Sequence, residues 1–306
     1  MQPFQLTLSN NGTVTGLRSV PQHLEQSRNQ RPLIVGIHGG CYDSKYFDAT
    51  PNYSASTFSS FFRVPFAAID RPSYGGTSSI LPVPDGSDFH QETGIWLHRY
   101  IIPKLWTEFG QPNHCNGVVL LCHSLGVMGG IIMATLHAQD DAPLYPLGGL
   151  IASGMGHTQS VSMRSNLVTP QQEGHLEFAP DVKDAVMFKS GTVAAEVLDQ
   201  TERLNAPAPL AETSTFPTVW LPIWKDKWAA QVASPIMFSL VDDDPFFVSD
   251  EEELKGCLEA FRKSARVDGS LIRGAPHCAE LSYWSQGWYA RCFGFALECA
   301  AGFSSA

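Results

Sequence analysis

Apolar residues in this chain fall into short, nearly unbroken runs separated by longer stretches in which they recur every three or four positions. The runs lie at 33–37, 64–69, 118–122, 147–152, 236–240 and 270–272, and each gives way to Gly, Asp or Ser within two residues. Such runs suit strands buried on both faces of a parallel sheet. Helical spacing is clearest at 91–109, 125–137, 250–263 and 283–301. Before all of these, two alternating segments, 4–8 and 13–17, flank Asn11-Gly12, a dipeptide suited to the positive φ of a hairpin turn. The pattern predicts an α/β fold: a mostly parallel central sheet, an N-terminal antiparallel hairpin, and helices on both faces.

The rhythm stops between 154 and 233. Eighty residues exceed any structureless loop in a compact domain, so this segment reads as a helical insertion. Its candidate pieces are 181–189, 193–204 and a proline-interrupted stretch carrying Phe216, Trp220, Trp224 and Trp228. The core is then 1–153 joined to 234–306, one domain with an insertion, in keeping with 306 residues.

Composition narrows the functions. Hydrophobic residues make up 43% and charged residues 16%, which excludes disorder and coiled coil. A net charge of −10 without a Lys/Arg block offers no footprint for nucleic acid or an anionic membrane. No signal-peptide pattern, membrane-length apolar run or C-terminal targeting motif stands out, and the seven cysteines are scattered without metal or disulfide spacing. The expectation is an intracellular, cytoplasmic protein with no metal and no cofactor.

The candidate chemistry sits where strands end. After 118–121 comes Cys122-His123-Ser124-Leu125-Gly126 and then a helix rich in small residues. A serine on a sharp turn between strand and helix is an exposed nucleophile with helix N–H groups behind it. Cys122 stands where the usual G-x-S-x-G pattern has Gly, a small enlargement. After 33–37, His38-Gly39-Gly40-Cys41 brings backbone close to a substrate, so the N–H of Leu125 with that of Gly40 or Cys41 makes a candidate oxyanion hole.

Asp70-Arg71-Pro72-Ser73-Tyr74-Gly75-Gly76-Thr77 follows the next strand. Together with the His38-Gly39-Gly40 and His123-Ser124-Leu125-Gly126 segments, in this order, it makes the chain resemble the serine-nucleophile branch of the α/β-hydrolase superfamily outside the insertion. The resemblance implies a structural role for Asp70 and Arg71. It also implies a base on a late loop, where His277 lies in Gly274-Ala275-Pro276-His277-Cys278, with His123 packing or lining the pocket. The triad acid belongs after the strand that opens at Pro235. There Asp242-Asp243-Asp244-Pro245 offers Asp244, which fits the family spacing from Pro235, with Asp242 as the second choice.

The insertion falls where the family carries its lid, and Trp220, Trp224, Trp228, Phe216, Met187 and Phe188 are the candidates to line an apolar chamber. The segments further resemble fungal hydrolases that accompany polyketide synthases. That implies a small-molecule or carrier-bound acyl substrate, a polyketide synthase as partner, and an acyl-Ser124 intermediate released by water as an esterase or thioesterase does. Alternatives on the same fold are a macrolactone-forming cyclase, hydroxynitrile lyase or carbon–carbon hydrolase chemistry, and a non-catalytic binding scaffold.

Overall fold

A computed structural model describes residues 1–22, 30–160, 171–172 and 174–303. Part of the expected insertion (161–170 and 173) and the C-terminal Ser304-Ser305-Ala306 lie outside the described residues.

Eight strands form one sheet. They are β1 (Gln2–Thr7), β2 (Thr13–Ser19), β3 (Pro32–Ile37), β4 (Phe66–Ile69), β5 (Gly117–His123), β6 (Leu147–Ser153), β7 (Ile236–Val241) and β8 (Val267–Ile272). Their order across the sheet is β1-β2-β4-β3-β5-β6-β7-β8. From β4 to β8 every pairing is parallel, whereas β2 runs antiparallel to both β1 and β4. This is a mostly parallel α/β sheet with an N-terminal antiparallel hairpin.

The hairpin turn is wider than Asn11-Gly12 alone suggested. Thr7 pairs with Thr13, Leu8 N–H donates to the Gly12 carbonyl at 2.8 Å, and the positive φ (64°) falls on Asn11. A five-residue connection results instead of a two-residue turn.

The central strands β3 to β7 are buried at every position, yet their side chains still alternate between two cores. Leu33, Val35, Ile37, Val118, Leu120 and Cys122 join a core with the helix α1 (Gly126–Gln139) and the helical run 89–110. Ile34, Val119 and Leu121 face the other way, onto the C-terminal helix Ser285–Phe303 through Trp288, Tyr289, Phe293 and Ala296. The expected helix 91–109 is one helical run with π turns at Leu97–Ile101 and Trp106–Gly110, between which sits Pro103, a residue with no N–H to continue regular bonding.

Two expected helices are shorter than their periodicity. The 250–263 segment is helical only over Glu251–Leu258, capped by Asp250, whose carboxylate accepts from Glu253 N–H at 2.8 Å; turns then drop Ala260 and Phe261 into the core. The 193–204 segment is helical only over Ala195–Leu198. Within 154–233, described elements include the helices Pro180–Met187 and Leu210–Thr215 and a helical run over 216–231. A small sheet of Gln171–Gln172, His175–Leu176 and Ala208–Pro209, which the helical expectation did not include, accompanies them.

Candidate active site

Strand β5 runs into helix α1 with only Ser124 and Leu125 between them. Reversing the chain that quickly places Ser124 in the left-handed region at φ 49°, a cost for a residue with a side chain. Ser124 N–H donates to the Ser153 carbonyl at 2.8 Å, and its own carbonyl accepts from Val127 N–H at 2.9 Å, which together hold the turn. Glycine at 126 is obligatory on space: a Cβ there would lie 2.5 Å from the His38 carbonyl oxygen and 2.7 Å from that of Ile37. The larger Cys122 is accommodated from the helix side, because a Cβ on Gly130 would meet its Sγ at 2.6 Å.

His277 Nε2 lies 3.0 Å from Ser124 Oγ, and His277 Nδ1 lies 2.8 Å from Asp244 Oδ2. Both the imidazole and the carboxylate are almost fully buried. The other oxygen of Asp244 accepts from Phe246 N–H at 2.8 Å and Phe247 N–H at 3.3 Å, which fixes the carboxylate plane. The three consecutive acids have three different tasks. Asp242 accepts from Gly274 N–H at 2.5 Å and so braces the loop that carries His277, while Asp243 pairs at the surface with Lys189 at 2.6 Å.

An apolar chamber of about 290 Å³ opens over Ser124. Gly40, Cys41 and Leu125 line it beside the serine, so the three residues whose N–H groups make the candidate oxyanion hole border one space. The 154–233 segment contributes Gln159, Leu176, Phe178, Met187, Leu210, Thr213, Phe216 and Pro217, and Phe246 and Phe247, next to the acid, add to the wall. Among the described residues, no lining side chain carries a formal charge.

Five expected pocket residues are elsewhere. Trp220, Trp224 and Trp228 are buried in the hydrophobic core, with Trp220 stacked on Trp224 and Trp224 stacked on Phe238 of β7 at ring separations of 5.9 and 6.4 Å. The indole N–H of Trp224 donates to His157 at 3.1 Å, which satisfies it away from the chamber. His123 also lies behind the site, stacked on Tyr46 with Nδ1 3.2 Å from Ser153 Oγ. Phe188 packs in the other core, whereas Phe216 and Met187 do reach the chamber. The wall residues Phe246 and Phe247 went unnoticed in the sequence, although their place directly after Asp244-Pro245 was the signal.

Burial holds the neighbouring histidines neutral. His38 has its pKa pushed well below the ordinary range by desolvation, with the Arg71 charge adding to it. Its Nε2 accepts from Arg71 N–H at 3.1 Å while Nδ1 faces the Gly39 carbonyl at 2.7 Å, the pattern of a neutral ring protonated at Nδ1. His123 is lowered by desolvation first and then by His277. Asp70 accepts from Ser44 N–H and from the Thr15 hydroxyl, away from Ser124. Arg71 is buried against Glu212 of the insertion and also donates to the Gly39 carbonyl at 3.1 Å, so it braces the glycine loop. Among the described residues no cluster of His, Cys, Asp or Glu forms a metal site, and no helix is long and apolar enough to cross a membrane.

A parallel α/β sheet with a serine at a strand-to-helix elbow, hydrogen-bonded to a histidine and through it to an aspartate, defines a class of enzymes that work by acyl transfer. A profile described as the alpha/beta hydrolase family matches residues 34–288, and the chain belongs to that family. Its chemistry is of the hydrolase type. No curated protein sequence matches significantly. Among solved structures, the fold is similar to a monoacylglycerol lipase from Paleococcus ferrophilus (14% identity, 98% of this chain and 100% of that one, TM-score 0.60). It is also similar to a soluble variant of monoglyceride lipase from Saccharomyces cerevisiae in complex with a substrate analog (13%, 98% and 95%, 0.65). A third is the thioesterase domain from the curacin biosynthetic pathway (13%, 97% and 99%, 0.58).

Proposed function

We propose that this protein is a serine hydrolase that cleaves esters or thioesters of apolar acyl groups through an acyl-Ser124 intermediate. The observation that carries the reading is the continuous hydrogen-bond chain Asp244–His277–Ser124 beneath a chamber whose described lining is mostly apolar and uncharged. Asp244 accepts a hydrogen bond from His277 Nδ1–H, which keeps the proton on Nδ1 and leaves Nε2 free to take the Ser124 proton as Oγ attacks the carbonyl. Backbone N–H groups of Leu125 and of Gly40 or Cys41 receive the oxyanion. The bond to the leaving alkoxide or thiolate then breaks, His277 returns the proton to it, and water attacks the acyl-enzyme by the same route.

The chamber sits near the lower end of the ~300–1,000 Å³ usual for ligand pockets, which favours short and medium acyl groups. A polyketide-like acyl thioester, delivered free or on a carrier, is the finer reading, and the apolar lining supports it. When a bound acyl chain carries a hydroxyl, an enclosed apolar wall lets that hydroxyl compete with water, so lactone release belongs to the same mechanism.

Intact mass measured after exposure to a fluorophosphonate tests the core of the proposal. One adduct is expected on the wild type and none on Ser124→Ala, with folding unchanged because only a hydroxyl is lost from a half-buried turn beside the chamber. Labelling that survives in Ser124→Ala overturns the assignment. Product analysis with hydroxyacyl thioesters decides the release step: linear acid alone rejects lactone formation.

A further inference from the structure

The glycine loop after β3 ends on Cys41, a residue with a side chain held at φ 60° beside the serine. A backbone in that region needs outside support, and the support comes from the insertion. The Cys41 carbonyl accepts from Ala206 N–H at 3.1 Å and from the ammonium of Lys183 at 3.4 Å. Lys183 stands on the helix Pro180–Met187 and is completely buried. Its other contacts are the Leu204 carbonyl at 2.9 Å and the face of Tyr42, 4.1 Å from the ring centroid.

Burying an ammonium against carbonyls and an aromatic face is costly, and desolvation lowers its pKa to about 8. A methionine or leucine would fill the same space without that cost, so the position needs the donor. The same helix reaches the base loop, since Met187 carbonyl accepts from the N–H of Cys278, next to His277, at 3.5 Å, and the Met187 side chain lines the chamber. One helix of the insertion thus braces both the loop that receives the oxyanion and the loop that carries the base.

Building on the acyl-serine reading above, we propose that Lys183 is a positioning residue that fixes the Gly40-Cys41 turn with a backbone N–H directed at the oxyanion. Lys183 touches no substrate; it acts through the Cys41 carbonyl. Because the oxyanion bond strengthens only as the tetrahedral centre forms, loss of Lys183 should lower kcat and leave ground-state binding nearly intact.

The test compares the full-length wild type with Lys183→Met and Lys183→Gln, reading ester kcat, KM and the affinity of a boronic acid that adds to Ser124 as a tetrahedral mimic. Thermal unfolding of each variant is followed in parallel. In Lys183→Met, kcat and boronate affinity should fall together by about tenfold or more while KM stays within about twofold. Lys183→Gln, which keeps an N–H donor, should recover much of the loss. Unchanged kcat in a folded Lys183→Met overturns the proposal, as does a loss confined to KM. Should Lys183→Met not fold, the wild-type boronate adduct solved by crystallography decides. A boronate oxygen within about 3.1 Å of the Gly40 or Cys41 nitrogen supports the assignment, and one bonded to neither removes it. Wild type that resists both fluorophosphonate and boronate would instead sink the acyl-serine reading itself.

Discussion

Three adjacent carboxylates show how much the partner decides at the scale of a residue. Asp242, Asp243 and Asp244 share a loop and a chemistry, yet only Asp244 meets an imidazole, while its neighbours hold the Gly274 N–H and the Lys189 ammonium. Replacing Asp244 with Asn leaves the shape and removes the acceptor that sets the His277 tautomer. Asp244→Asn should therefore lower kcat on the order of 10³ to 10⁴ with KM little changed. Asp243→Asn breaks only a half-exposed ion pair and should leave activity near wild type. Steady-state kinetics of both variants on one chromogenic ester checks the contrast, and equal losses would contradict the assignment of the acid. Ser124 was legible in the sequence because it follows a strand with small residues around it, and His277 through the family resemblance that places a base on a late loop. Lys183 was not, since a lysine inside a helical pattern reads as solvated until its neighbours are known.

Elements meet at Ser124 because β5 and α1 approach closely, and that approach is shared between Cys122 and Gly130. A Gly130→Ala substitution adds helix propensity worth about 1 kcal/mol but drives a Cβ to 2.6 Å from the Cys122 sulfur, and overpacking of that kind costs about 1–3 kcal/mol. Gly130→Ala should therefore destabilise the protein, and the sign should reverse when Cys122→Ala is already present. A double-mutant cycle by urea denaturation measures the coupling; additive effects would show that strand and helix do not share this space. The departure of Cys122 from glycine, visible in the sequence, is thus answered eight residues later by a glycine whose purpose the sequence does not reveal. Strands were legible to within a few residues, because unbroken apolar runs have few other homes. The tryptophans of the insertion were misplaced for a related reason: spacing of four puts Trp220, Trp224 and Trp228 on one helical face, and periodicity does not say whether that face meets a cavity or a strand. It meets Phe238 of β7.

The whole molecule closes over its site by burying polar groups that water would otherwise serve, and this sets its response to pH. His38, just after β3, and His123, the last residue of β5, are fully buried, and desolvation lowers the pKa of both well below the ordinary value of 6.5. Between that value and their folded-state pKa the unfolded chain binds protons that the folded chain refuses, so stability is present above about pH 6.5 and declines as pH falls. Each such histidine contributes a slope of up to about 1.4 kcal/mol per pH unit in that window. Chemical denaturation at pH 7.5, 6.5 and 5.5 should show little change over the first step and a clear loss over the second. In His38→Gln, a side chain that keeps an acceptor and a donor but does not titrate in this range, the protein should be weaker at pH 7.5 and lose less on acidification. A wild-type stability that rises from pH 6.5 to 5.5, or a variant with an undiminished slope, would mean that His38 is protonated in the folded state. The neutral ring bridging Arg71 N–H and the Gly39 carbonyl would then be wrong, and with it the way the glycine loop is held over Ser124.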